Sequence, residues 1–122
     1  MSVSILVVDD EHDVADLFRR RFRKELKQGI YSIQFALCGQ DALDKIKEQI
    51  EPELMLILSD INMPGMSGLE LLTQVKNLLP SLPVVMITAY GDDDNRERAR
   101  KLGAAQFLKK PIEFGELRET IS

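Results

Sequence analysis

Reactive polar side chains stand at the carboxyl ends of four apolar, strand-like segments of the sequence. In chain order these side chains are Asp9 and Asp10, Asp60, Thr88, and Lys109 with Lys110. A parallel sheet gathers the carboxyl ends of its strands at one edge, where open α/β folds bind their ligands. The sequence therefore predicts a pocket lined by carboxylates, a hydroxyl and an ammonium group.

Three carboxylates at one sheet edge would repel one another and raise each other's pKa unless a cation joined them. Magnesium (Mg²⁺) suits such oxygen ligands and binds through one or two carboxylates, water and phosphate oxygens. A lysine and the Thr88 hydroxyl would stabilise a phosphoryl group that moves onto an oxygen nucleophile. Asp60 is the natural nucleophile, and the pattern alone does not choose between Lys109 and Lys110.

Each of these residues also has an ordinary structural explanation. Asp10 could cap a helix, Thr88 is a typical β-branched strand residue, and two adjacent lysines could be surface charges. No helix start follows Asp60 closely, so capping does not explain that residue. Because the groups stand at four separate strand ends, a shared chemical site is the better interpretation.

The elements that position these residues alternate along the chain as five strands and five helices, which indicates a parallel sheet covered on both faces. Uninterrupted apolar runs at residues 5–8, 54–58 and 84–87 are typical of central strands. Residues 32–36 alternate between apolar and polar, as expected for an edge strand. Residues 107–108 are the short apolar run of the fifth strand. The helices are expected over residues 11–27, 39–51, 68–79 and 92–102, and after 111.

Two charged runs in the predicted helices have structural interpretations. The first helix carries a basic face (Arg19, Arg20, Arg23, Lys24 and Lys27), which is interpreted as a solvated exterior. The acids at 92–94 lack the spacing of a calcium loop, so we expect them to cap the fourth helix.

Composition limits the classes of protein that fit. The 122 residues are 44% hydrophobic and 30% charged with a net charge of −4, which fits one globular domain over residues 1–122. The mild acidity argues against direct nucleic-acid binding. The longest apolar run, residues 54–58, is far shorter than the roughly 20 residues of a membrane helix. The chain start lacks an export signal, so we expect a cytoplasmic protein without membrane contact.

Four motifs in register resemble the receiver domain of bacterial two-component response regulators. They are Val7-Val8-Asp9-Asp10-Glu11, Ser59-Asp60-Ile61-Asn62-Met63-Pro64-Gly65-Met66-Ser67-Gly68, Ile87-Thr88-Ala89 and Lys110-Pro111. The resemblance implies a flavodoxin-like, doubly wound five-stranded parallel sheet of order 2-1-3-4-5 with five helices. It also implies phosphorelay signal transduction, in which a histidine kinase or histidine phosphotransfer protein phosphorylates an aspartate.

The resemblance implies that Asp60 is the residue that accepts the phosphoryl group. The ligands of magnesium would be Asp10, Asp60 and the backbone carbonyl of Asn62, with Asp9 contributing through water. A domain of this kind catalyses only its own phosphorylation and dephosphorylation and is not a turnover enzyme.

For the response to phosphorylation, the resemblance implies that Thr88 bonds the phosphoryl group and that Lys110, which precedes a proline, pairs with it. The Lys110–Pro111 bond is then a candidate cis peptide. Phe107 would change rotamer when Thr88 moves, and the signal would reach the surface of the fourth helix, last strand and last helix.

Other functions remain as alternatives. A pseudo-receiver would serve only as a docking module. A magnesium-dependent phosphohydrolase would need an acid two residues after its nucleophile, where Asn62 stands. A flavin-binding module would not place Asp-Asp-Glu beside a ligand phosphate. We expect the chain to be the amino-terminal part of a longer protein with a carboxyl-terminal output domain, and a homodimer is left open.

Overall fold

The computed structural model describes residues 3–48, 54–88 and 92–121, and Ala89 of the third motif lies outside them. The strands of the described part are β1 (Val3–Val8), β2 (Tyr31–Ala36), β3 (Leu54–Asp60), β4 (Val84–Thr88) and β5 (Gln106–Lys109). Its helices are α1 (His12–Arg21), α2 (Arg23–Lys27), α3 (Gly39–Glu48), α4 (Gly68–Leu78), α5 (Asp93–Lys101) and α6 (Phe114–Ile121). None of the described helices has both the length and the apolar character needed to cross a membrane.

All neighbouring strands are parallel, and their order is β2-β1-β3-β4-β5, which confirms the expected sheet. The register pairs Val8 with Ser59, so the chain leaves β1 and β3 at nearly the same height. Thr88 pairs with Lys109 at the ends of β4 and β5. The predicted reactive groups therefore lie along one edge of the sheet.

The sheet separates two apolar clusters. Along β1, Ile5 and Val7 belong to the cluster that includes α1 and α6 residues, whereas Leu6 and Val8 belong to the cluster on the α3 and α4 side. Residues that alternate between two buried faces give a continuous apolar sequence, which explains the runs in the central strands. In β2 every second residue is exposed until Ala36, as expected for an edge strand.

The single first helix expected over residues 11–27 is wrong, and the described part has six helices instead of five. Helix α1 ends at Arg21, and Phe22 has φ −108° and ψ 20° before α2 begins. The Phe22 ring is fully buried, with centroid distances of 5.3 Å to Tyr31 and 5.6 Å to Phe114. We attribute the break to this packing, which outweighs helix propensity.

Helix α5 begins and ends close to the expected positions. Gly103, with φ +102°, follows its last turn in the left-handed conformation that glycine tolerates. The expected capping by Asp92 is wrong: Asp92 occupies the N-cap position, but its side chain makes no capping hydrogen bond. Its carboxylate instead accepts hydrogen bonds from two side-chain amides, those of Asn62 and Asn95.

Candidate functional site

Three carboxylates meet where β1 and β3 end. One oxygen from each of Asp9, Asp10 and Asp60 lies within 4.8 Å of the others. Asp9 and Asp60 are each only 4% exposed, whereas Asp10 is exposed. The two neighbouring strands thus supply two buried acids and one accessible acid to the same small region.

Only one of the two oxygens of the buried Asp9 carboxylate has a hydrogen-bond partner among the described residues. Its Oδ1 accepts the Glu11 backbone N–H at 2.9 Å, but its Oδ2 is buried with no hydrogen-bond partner among the described residues. Burial raises the pKa of Asp9 above its ordinary 3.8, and the charge of Asp60 adds to this, while the Glu11 N–H opposes it. A buried, partnerless oxygen beside two further carboxylates fits a hard divalent cation, which prefers oxygen ligands.

Asp60 is held by two donors on its two oxygens. Lys110 Nζ donates to Oδ2 at 2.6 Å, and the Asn62 backbone N–H donates to Oδ1 at 3.2 Å. Burial alone would lower the pKa of the Lys110 ammonium, but the hydrogen bond and charge of Asp60 outweigh it and raise that pKa. Lys110 therefore carries a positive charge at neutral pH beside the acids.

Of the two adjacent lysines, the structure brings Lys110 to Asp60. Lys109 is the last residue of β5 and is exposed, whereas Lys110 follows the strand and its backbone N–H bonds the Thr88 carbonyl at 2.9 Å. The Lys110–Pro111 peptide bond is cis, as the resemblance implies.

Thr88 and Phe107 lie on the β4 and β5 side of the site. Thr88 is 2% exposed, and its hydroxyl donates to the Leu108 carbonyl at 3.5 Å, the limit of a hydrogen bond. Phe107 is partly buried, and the guanidinium carbon of Arg96 on α5 lies 5.2 Å from its ring centroid. Thr88 thus contacts β5, and Phe107 of β5 contacts α5.

Gly68 allows the start of α4 to lie close to the backbone of the acceptor Asp60, which the sequence pattern did not reveal. A Cβ at Gly68 would lie 2.2 Å from the backbone oxygen of Asp60 and 2.7 Å from the Ile61 Cα. Only glycine permits α4 to begin so close to the acceptor's backbone. The helix start itself has a readable signal, since Ser67 accepts the Glu70 N–H at 3.2 Å in a capping-box sequence.

Comparison with known proteins assigns this arrangement to a family. The model of the response regulator receiver domain matches residues 5–122. The chain belongs to this family. It is thus a receiver domain of the response regulators of two-component systems. Receiver domains are signalling domains.

Individual relatives of this receiver domain differ in length. Transcriptional regulatory protein ZraR from Klebsiella oxytoca is 38% identical over 121 residues, which are 98% of this chain and 26% of ZraR. Sporulation initiation phosphotransferase F from Bacillus subtilis is 34% identical over 121 residues, covering 99% of this chain and 92% of that protein. This receiver domain therefore spans about a quarter of ZraR and nearly all of the phosphotransferase.

A solved structure supports the same fold. The receiver domain protein from Clostridium thermocellum superposes with a TM-score of 0.87 at 26% identity, covering 99% of this chain and 91% of that one.

Proposed function

We propose that this receiver domain accepts a phosphoryl group on Asp60 from the phosphohistidine of a histidine kinase or a histidine phosphotransfer protein. The proposal is carried by one observation: a nearly buried carboxylate is fixed by Lys110 at 2.6 Å within a cluster of acids. An Asp60 oxygen would attack phosphorus while the phosphorus–nitrogen bond breaks, and the imidazole would leave with that electron pair. The product is an aspartyl phosphate.

The proposal includes magnesium held by Asp10, Asp60 and the backbone carbonyl of Asn62, with Asp9 acting through water. Its support is the buried Asp9 oxygen, which has no hydrogen-bond partner among the residues that the structure describes, and the crowding of three acids. When bound, magnesium supplies positive charge that offsets the charge of the phosphoryl oxygens. Lys110 adds a second positive charge from the β5 side of the site.

Phosphorylation would act on the surface formed by α5, β5 and α6. The phosphoryl group adds about −1.5 to −2 charges at neutral pH and three strong acceptor oxygens. The Thr88 hydroxyl makes only a long bond to Leu108, so a phosphoryl oxygen would compete well for it. Movement of Thr88 would leave space into which Phe107 turns, away from Arg96. The domain would do this chemistry on itself only and would not turn over an external substrate.

We further propose that residues 1–122 form one receiver domain at the amino-terminal end of a longer cytoplasmic protein. The match to 26% of the longer transcriptional regulatory protein ZraR is compatible with this organisation and with a carboxyl-terminal output domain, whereas the match to 92% of sporulation initiation phosphotransferase F is compatible with a stand-alone receiver. The receiver itself would not bind nucleic acid directly, and it could form a homodimer. The reading frame beyond residue 122 tests this proposal directly.

Uptake of phosphate from acetyl phosphate in the presence of magnesium tests the function. We expect the wild-type domain and Asp13→Asn, which changes an exposed acid on α1, to become phosphorylated. Asp60→Asn should take up none, and Lys110→Ala should do so at least tenfold more slowly. Equal uptake by Asp60→Asn would refute the acceptor assignment.

Two other results, obtained with further phosphoryl donors, would point to the alternative functions. No uptake by wild type from acetyl phosphate or a phosphorylated histidine kinase would favour a docking module. Sustained release of phosphate from a phosphomonoester would favour a phosphohydrolase.

A further inference from the structure

A pair of side-chain hydrogen bonds joins the loop that follows the acceptor to the start of α5. Asn62 Nδ2 donates to Asp92 Oδ2 at 3.2 Å, and Asn95 Nδ2 donates to the same oxygen at 3.1 Å. The backbone N–H of Asn62 also contacts Asp60. Asn62 therefore bonds both the acceptor carboxylate and the carboxylate of Asp92.

Helix capping does not account for Asp92. An aspartate at the N-cap position normally accepts a hydrogen bond from a backbone N–H in the first turn. The described part of α5 shows no such bond from the Asp92 side chain, whose Oδ2 is bonded by two amides instead. The Asp92 side chain thus accepts no backbone capping bond and instead bonds the nearby Asn95 amide and that of Asn62, 30 residues away along the chain.

We propose that Asp92 is a positioning residue that holds the Asn62 amide away from the phosphoryl site and thereby shortens the lifetime of the phosphorylated state. The inference rests on the proposed function of Asp60. Asp92 and a phosphoryl group on Asp60 are both anions that attract the Asn62 amide hydrogens, so they compete for one side chain.

The consequence concerns hydrolysis. Water oxygen attacks phosphorus, the bond from phosphorus to the Asp60 oxygen breaks, the carboxylate keeps the electron pair, and the water proton passes to the phosphate product. An Asn62 amide released from Asp92 would donate to the phosphoryl oxygens and stand in the path of that water. An amide retained by Asp92 leaves the path open.

Decay of the phosphorylated domain tests this inference. The domain is phosphorylated with acetyl phosphate and magnesium, the donor is removed, and the remaining aspartyl phosphate is followed over time. We expect Asp92→Ala to lengthen the half-life three- to tenfold while uptake from acetyl phosphate changes less than twofold. Asp93→Ala removes an exposed acid from the same turn, with no bond to Asn62 among the described contacts, and should decay like wild type.

A double variant separates positioning from a general effect of charge or stability. In an Asn62→Ala background, Asp92→Ala should leave the half-life unchanged, because the amide on which Asp92 acts is gone. The inference is overturned if Asp92→Ala decays like wild type, if Asp93→Ala lengthens the half-life equally, or if the effect persists without Asn62. A wild-type domain that takes up no phosphoryl group would overturn the proposed function itself, and this inference with it.

Discussion

Replacing Asp9 by asparagine should stabilise the domain when no divalent cation is bound. Asp9 keeps one carboxylate oxygen buried with no hydrogen-bond partner in the described part of the chain, beside two other acids. A buried unsatisfied group costs about 1–3 kcal/mol. Asparagine retains an acceptor for the Glu11 N–H and turns two donors toward the acids, so we expect a gain of about 1–2 kcal/mol.

This gain in the free energy of unfolding corresponds to a rise in melting temperature. An unfolding entropy of about 2.1 cal/mol/K per residue over the 122 residues gives about 0.26 kcal/mol/K, so Asp9→Asn should melt about 4–8 °C above wild type at pH 7. Thermal unfolding followed by circular dichroism in a chelating buffer measures the difference. Asp13→Asn, at an exposed position of α1, is the matched control and should shift little.

The pH dependence of this gain has a definite sign. The pKa of Asp9 is raised in the folded state, so the native carboxyl binds its proton more tightly than the unfolded one does. Wild-type stability is therefore lost as pH rises through the folded pKa, and the penalty grows over that rise. The advantage of Asp9→Asn should shrink as pH falls toward 3.8, the ordinary value for this carboxyl.

Magnesium should narrow the difference in stability between Asp9→Asn and wild type. At ten times its dissociation constant a ligand stabilises the native state by about 1.4 kcal/mol, which is about 5 °C here. We expect wild type to gain this much and Asp9→Asn to gain less than half of it. An asparagine variant that melts at or below wild type in chelator at pH 7 would refute the reasoning about the buried oxygen.

Three further substitutions test the packing around the site. Gly68→Ala should cost about 3 kcal/mol in urea unfolding and slow phosphoryl uptake, because the new Cβ would collide with the Asp60 backbone; wild-type stability would contradict this. Ser67→Ala should cost about 1 kcal/mol, because the Ser67 hydroxyl that accepts the Glu70 N–H at the start of α4 is lost, and it should leave uptake unchanged. A change in uptake would show that Ser67 does more than cap the helix. Phe22→Ala should cost about 3–5 kcal/mol, and a loss below 1 kcal/mol would argue against the packing of Phe22 on Tyr31 and Phe114 as the reason for the helix break.

The strand ends could be predicted because two simple regularities act together. Apolar runs mark strands, and parallel pairing brings their carboxyl ends to one edge, so Asp9 and Asp60 could be assigned to the same edge of the sheet. The order of the strands did not follow from these patterns and came from the family resemblance. Neither pattern chose Lys110 over Lys109, because the choice depends on where β5 ends against Thr88.

Features that depend on tertiary packing were not predictable. The break at Phe22 occurs within an otherwise regular helical pattern, because the ring is fixed by partners far away in sequence. The bond between Asn62 and Asp92 also has no local signature, and Asp92 resembled an ordinary cap. Gly68 was recognised as a helix start, but its contact with the Asp60 backbone depends on how α4 meets β3.

Chemical trapping of the phosphorylated residue tests the central claim most directly. Borohydride reduces an aspartyl phosphate to homoserine, and peptide mass spectrometry then locates the modified position. After incubation with acetyl phosphate and magnesium, we expect homoserine at residue 60 and none at Asp9 or Asp10. Homoserine at either of those positions, or phosphate retained on His12 with residue 60 unmodified, would contradict the assignment of Asp60 as the acceptor.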